Sequence, residues 1–122
     1  MSKLNILVIE PDNKPYLKTI ENELTEFQKI VGGNIEVAYD YEGRNIVYVI
    51  NDENKINGSE FNKALIHNHK IFDYICGTFF ICGDTGENFK DISKSDAEYY
   101  SKRYSQKEIL VNCNGKLGVF RY

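Results

Sequence analysis

Apolar and polar positions along the chain fall into short blocks, and the spacing within each block predicts its structure. Leu4–Glu10 is a near-continuous apolar run rich in Ile and Val, as expected of a central strand. Pro11-Asp12-Asn13-Lys14-Pro15 is turn chemistry, with two prolines bracketing Asp and Asn. Tyr16–Glu21 reads as a second, short strand. Asn22 is a good N-cap, and Leu24, Phe27, Ile30 and Val31 after it fall at helical spacing. Gly32-Gly33 ends that helix, because glycine takes the left-handed position past a helix terminus without steric cost. Asn34–Tyr41 alternates, with Ile35, Val37, Tyr39 and Tyr41 on one side and Glu36 and Asp40 on the other, which predicts a half-buried strand. Across the turn Glu42-Gly43-Arg44, the β-branched run Asn45–Ile50 is expected to pair with it antiparallel.

Asn51–Asn54 is a polar turn, and Glu60–Leu65 predicts a single helical turn. Phe72–Gly83 is the most apolar stretch. Tyr74, Cys76, Thr78, Phe80 and Cys82 would line one face and Ile75, Gly77, Phe79 and Ile81 the other, so it reads as one central strand covered on both sides. Gly77 within it marks a bulge or a close approach by another group. Asp84–Lys90 reads as a loop. Ser95-x-x-Glu98 has the form of a capping box, with Ser93-x-x-Asp96 the weaker alternative, so a helix starts near residue 94 and runs to about 105. Its apolar stripe is Ala97, Tyr100 and Tyr104; Lys94, Glu98 and Lys102 alternate in sign at i, i+4 on the wet side. Asn114-Gly115 between Ile109–Cys113 and Lys116–Tyr122 is a strong hairpin signal. Together these blocks predict a single α+β domain over residues 1–122: a mostly antiparallel sheet of about six strands, two helices packed on it, and a C-terminal β-hairpin.

Composition supports one core. A chain of 122 residues with 42% apolar side chains needs neither metal nor disulfide to fold. A net charge of −3 argues against a general nucleic-acid binder, which needs a basic stripe, and is too mild for a mimic of DNA. No apolar run approaches the ~18 residues of a membrane span, and the N-terminal run is too short for a signal-peptide core. A cytoplasmic location is therefore expected, with Cys76, Cys82 and Cys113 as reduced thiols.

Candidate chemistry is sparse. His67, His69, Cys76 and Cys82 are metal-ligand types, but the two cysteines would lie about 20 Å apart along one extended strand, and no metal is predicted. A lone pairing of Cys with His carries almost no signal for nucleophilic catalysis. Asp52-x-Asn54 opens like a calcium loop, yet Lys63 stands where its bidentate Glu is required. Gly83-Asp84-Thr85-Gly86 lacks the lysine of a phosphate loop. Tyr99, Tyr100, Lys102, Arg103, Tyr104 and Lys107 interleave aromatic and basic residues, as nucleic-acid surfaces do, but two of the tyrosines fall on the core stripe and the rest read as a solvated face. No catalytic residue and no cofactor are predicted, and nucleic acid is not an expected partner. Two binding sets remain. Asn51, Asn62 and Thr78 are uncharged polar residues beside apolar segments, suited to orienting a small ligand or to capping turns. Tyr41, Tyr48, Tyr99 and Phe120 lie off the core stripes or on expected edges and are candidate anchors for a protein partner.

Four blocks carry a resemblance. Val31-Gly32-Gly33-Asn34-Ile35-Glu36-Val37, Val49-Ile50-Asn51-Asp52-Glu53-Asn54-Lys55, Gly58-Ser59-Glu60-Phe61-Asn62-Lys63-Ala64-Leu65 and Asp73-Tyr74-Ile75-Cys76-Gly77-Thr78-Phe79-Phe80-Ile81-Cys82-Gly83 occur in the order seen in domain of unknown function family 3846, which residues 1–105 resemble. Lys63 stands where members of that family often have arginine. The resemblance implies a small bacterial or phage protein, often carried on mobile elements, and leaves the terminal hairpin outside its pattern. The expectation is a non-enzymatic accessory protein that binds and inhibits a host defence or regulatory protein. The alternative is a protein that sequesters a small nucleotide signal at Asn51, Asn62 and Thr78.

Overall fold

In the computed structural model, which describes residues 2–122, the chain runs β1 (Lys3–Ile9), β2 (Tyr16–Glu21), α1 (Leu24–Val31), β3 (Ile35–Ala38), β4 (Ile46–Asn51), β5 (Phe61–His67), β6 (Lys70–Cys76), β7 (Phe79–Asp84), β8 (Phe89–Lys90), α2 (Lys94–Arg103), β9 (Glu108–Cys113) and β10 (Lys116–Arg121). Six strands form an antiparallel sheet in the order β2-β1-β7-β4-β3, with β8 beside β7; β5–β6 and β9–β10 are separate antiparallel hairpins. The architecture is α+β, as the pattern predicts.

β1, β4 and β7 are apolar on both faces because both faces are covered. Ile6, Val8, Val47, Val49, Phe80 and Cys82 pack under Phe27 and Val31 of α1. The alternate residues Leu7, Ile9, Ile46, Tyr48, Phe79 and Ile81 pack under Ala97 and Tyr100 of α2, the adjoining Tyr104, and Leu65 and Ile75 of the β5–β6 hairpin. Among the described residues no helix is long and apolar enough to cross a membrane.

The structure corrects six local readings. Phe72–Gly83 is two strands: β6 turns away to pair with β5, and the break falls at Gly77, whose φ is +75°. The Gly77 N–H donates to the Glu60 carbonyl at 2.7 Å, and a Cβ there would lie 2.2 Å from Asn54 Nδ2. The stretch read as a helical turn at Glu60–Leu65 is strand from Phe61 onward, because pairing with β6 and burial of Ala64 and Leu65 override a weak local preference. At the start of α1 the N-cap is Glu23, one residue beyond Asn22, with no side-chain cap. α2 is capped by Ser93, whose Oγ accepts from the Asp96 N–H at 3.0 Å, so the box read as the weaker one is used; the regular helix ends at Arg103. The chain also leaves β3 after Ala38, earlier than the alternation through Tyr41 suggested, and Phe89–Lys90 adds a short strand to the stretch read as loop.

Candidate functional site

The asparagines are bound into the scaffold. Asn51 donates from Nδ2 to the carbonyl of Val31 at 3.2 Å, at the end of α1, and accepts from the Glu53 N–H at 2.8 Å. Asn62 is fully buried and donates to the carbonyls of Ile9 (3.0 Å) and Gly77 (2.8 Å), tying β5 to the ends of β1 and β6; its Oδ1 has no partner among the described residues. Asn54 donates to the Cys76 carbonyl at 3.0 Å. Thr78 is half-buried at the break between β6 and β7.

The tyrosine set divides. Tyr48 is fully buried, a correction to its expected place on an exposed edge: β4 is an interior strand, and the residue faces α2. Its hydroxyl lies 2.6 Å from that of Tyr104 and donates to Asp40 Oδ2 at 3.2 Å, and Tyr100 donates to the same oxygen at 2.6 Å. Burial, with Asp40 close by, pushes the Tyr48 and Tyr100 phenols upward from 10. Arg103 bridges Asp40 (3.3 Å) and Glu42 (3.0 Å). Tyr99 is half-buried, donating to Glu42 at 2.7 Å with the Arg44 guanidinium 3.9 Å from its ring centre. Tyr41 is exposed and stacks on His67 at 4.2 Å, with Phe72 edge-on at 5.0 Å. Phe120 is exposed on the terminal hairpin opposite Ile109. The four candidates therefore do not form one surface.

The cysteines are unpaired; Cys76 and Cys82 are buried and Cys113 is exposed. Burial pushes the Cys82 thiol up to about 12. Among the described residues no group of three or more His, Cys, Asp or Glu side chains is placed to hold a metal.

A groove that Tyr99 also lines gathers further chemistry. Tyr100 and Tyr104 hold α2 over β4 and β7, leaving β2 at the edge of the sheet uncovered on this face. The result is an open groove of about 1380 Å³. Asn5, Leu7, Leu17 and Thr19 form its floor, and Ala97, Glu98, Ser101 and Lys102 contribute to the α2 wall. Leu17 is 63% exposed, a largely uncovered apolar side chain on an edge strand. Thr19 Oγ1 and Asn5 Oδ1 are 2.5 Å apart, fixing the floor, while the hydrogen bond from Tyr16 to Glu10 raises the Tyr16 phenol to about 12 and lowers the carboxyl of Glu10.

Lys14, Lys94 and Lys102 line the groove against one acid, Glu98, and Lys18 borders it from the opposite face of β2. Among the described residues none of these five makes an ion pair. Elsewhere Lys3, Lys29, Lys55 and Lys107 pair with carboxylates, as do Arg44, Arg103 and Arg121, while Lys63, Lys70, Lys90 and Lys116 do not among the described residues; what sets the groove apart is that its unpaired lysines lie together. A cationic groove on a chain of net charge −3 is a local departure from its overall field. Sequence reasoning saw the Lys94-Glu98-Lys102 ladder as a solvated face; it had no signal that α2 stands beside β2.

No curated protein and no solved structure matches the chain. The model of the family described as "Domain of unknown function (DUF3846)" matches residues 3–105, which takes in the whole sheet, both helices and the groove and stops short of the β9–β10 hairpin; the chain belongs to that family.

Proposed function

We propose that this protein is a non-enzymatic accessory factor that acts by binding an acidic partner protein in the groove between β2 and α2. The observation that carries the reading is the set of unpaired lysines about exposed Leu17, Lys14, Lys94 and Lys102 at the groove and Lys18 on the other face of β2. Apolar floor and charged rim are the arrangement of a protein-binding surface, in which the floor supplies affinity and the charges select the partner. The phage or mobile-element setting that the family resemblance implies makes a host defence or regulatory protein the proposed target. The nucleotide-sequestering alternative has less to stand on, since the carboxamide nitrogens of Asn51 and Asn62 are already engaged by backbone carbonyls.

Selection of short random peptides on the immobilised protein tests this. Enrichment of acidic sequences is expected, with affinity falling about tenfold or more in Lys94→Glu/Lys102→Glu while the thermal midpoint stays unchanged. Enrichment without an excess of acidic residues, or no enrichment, would overturn the reading.

A further inference from the structure

We propose that the occupant of this groove is an extended acidic segment that adds to the free edge of β2 as a further antiparallel or parallel strand. The inference rests on the groove being the binding surface and specifies how the surface is used.

The backbone of β2 carries the first argument. β2 ends the sheet: β1 pairs it on one side and, among the described residues, no strand pairs it on the other. The Asn22 N–H donates to the Ser2 carbonyl at 3.1 Å, in continuation of the register that pairs Lys3 with Glu21, Leu4 with Ile20 and Ile6 with Lys18. Bonded and non-bonded pairs alternate along an antiparallel ladder. Tyr16, Lys18 and Ile20 therefore turn their N–H and C=O groups toward β1, and Leu17 and Thr19 turn theirs outward. These are the two β2 residues whose side chains form the groove floor. Free backbone groups and uncovered side-chain surface thus belong to the same two residues, as strand addition requires.

Charge carries the second argument. Alternate side chains of an added strand would project to the α2 side, beside Leu17 and within the field of Lys94 and Lys102; the intervening ones would meet Lys18 on the opposite face. An acidic segment fits this field and a basic one is repelled. A second copy of this chain is disfavoured for the same reason, because pairing two β2 edges through their outward-facing residues Leu17 and Thr19 brings Lys18 against Lys18. The opposite edge of the sheet, β3, is only four residues long and carries Glu36, so it offers neither the length nor the charge.

An acidic peptide from the selection above provides the probe. Thr19→Pro removes an outward N–H while leaving the bonds of Lys18 and Ile20 to β1 in place, since proline is tolerated on an edge strand where its nitrogen faces solvent. Thr19→Val removes only the hydroxyl. By fluorescence anisotropy, Thr19→Pro is expected to weaken the peptide about tenfold or more, and Thr19→Val about twofold or less. Hydrogen exchange on the unaltered protein keeps the test decisive where Thr19→Pro fails to fold: the peptide is expected to slow exchange at the Leu17 and Thr19 amides. Unchanged exchange there overturns strand addition, as does full affinity for a folded Thr19→Pro. If Lys94→Glu/Lys102→Glu still abolishes binding in that case, the groove reading survives; if the peptide ignores that variant too, both fall. A dimer of the free protein that protects the same two amides also overturns the proposal.

Discussion

Two regions of this molecule hold concentrated polar chemistry, and they use it in opposite ways. Around Asn51, Asn54 and Asn62 the carboxamides are buried, and each nitrogen donates to a backbone carbonyl. In the β2–α2 groove the lysines are exposed and have no ionic partners among the described residues. Burial explains the contrast. A polar group away from water must be satisfied internally, so the first region is organised by the fold's own backbone. A group left in water is under no such demand, so a field of unpaired charge around an apolar floor is available to a partner. The blocks that carry the family resemblance belong largely to the first kind: a Cβ at Gly33 would lie 2.7 Å from Asn51 Nδ2, and one at Gly77 would lie 2.2 Å from Asn54 Nδ2. These glycine–asparagine contacts account for part of those blocks as scaffold.

The contrast breaks most sharply at Gly77. Gly77→Ala forces a side chain into positive φ and into Asn54, and is expected to cost about 3 kcal/mol or more in urea denaturation. Asn62→Ala follows at about 2 kcal/mol, through loss of the bonds to the Ile9 and Gly77 carbonyls. A cost below about 0.5 kcal/mol would remove Asn62 from the scaffold and return it to the ligand-site candidates.

Lys63 sharpens the comparison as a buried charge that is poorly served. It is 1% exposed and makes no hydrogen bond among the described residues, while nearby Glu108 already accepts from the Ala64 N–H at 2.9 Å and Arg121 Nε at 3.2 Å. Burial lowers the Lys63 ammonium below its ordinary 10.5, with Glu108 opposing the shift. Between the lowered folded value and 10.5 the unfolded chain binds more protons, so this residue makes stability rise with pH across that window. Lys63→Met is expected to stabilise by about 1 kcal/mol at neutral pH. The gain should shrink as pH approaches 10.5, read as the difference between variant and wild-type denaturation curves. A constant difference across that range would contradict the assignment.

Smallest in stability and largest in binding is Lys94→Glu/Lys102→Glu. Both side chains are exposed, so the change in unfolding free energy is expected to stay within about 0.5 kcal/mol. A larger loss would mean that these lysines support the fold.

Much of the scaffold was legible in the sequence because strong periodicity reports burial directly. The apolar run of β1, the α2 stripe of Ala97, Tyr100 and Tyr104, and the Asn114-Gly115 hairpin all appear where the pattern puts them. Gly77 was legible as a singular position but not as a strand break, because apolar residues on both sides of it match one long buried strand as well as two. The groove was not legible. Lys94 and Lys102 sit on the wet side of α2 as their spacing says, but that β2 ends the sheet, and that α2 leaves it uncovered, depends on strand order. Tyr48 shows the same limit: its spacing within β4 fits an edge strand and an interior one, and only pairing with β7 places it in the core.

Backbone chemical-shift mapping with a selected acidic peptide separates the two regions in one experiment. Binding at the groove predicts shifts at Leu17 and Thr19 on β2 and at Ala97 and Ser101 on α2, with Asn51, Asn54 and Asn62 unmoved. Shifts confined to the asparagine region, or to the exposed aromatics Tyr41, His67 and Phe72, would contradict it.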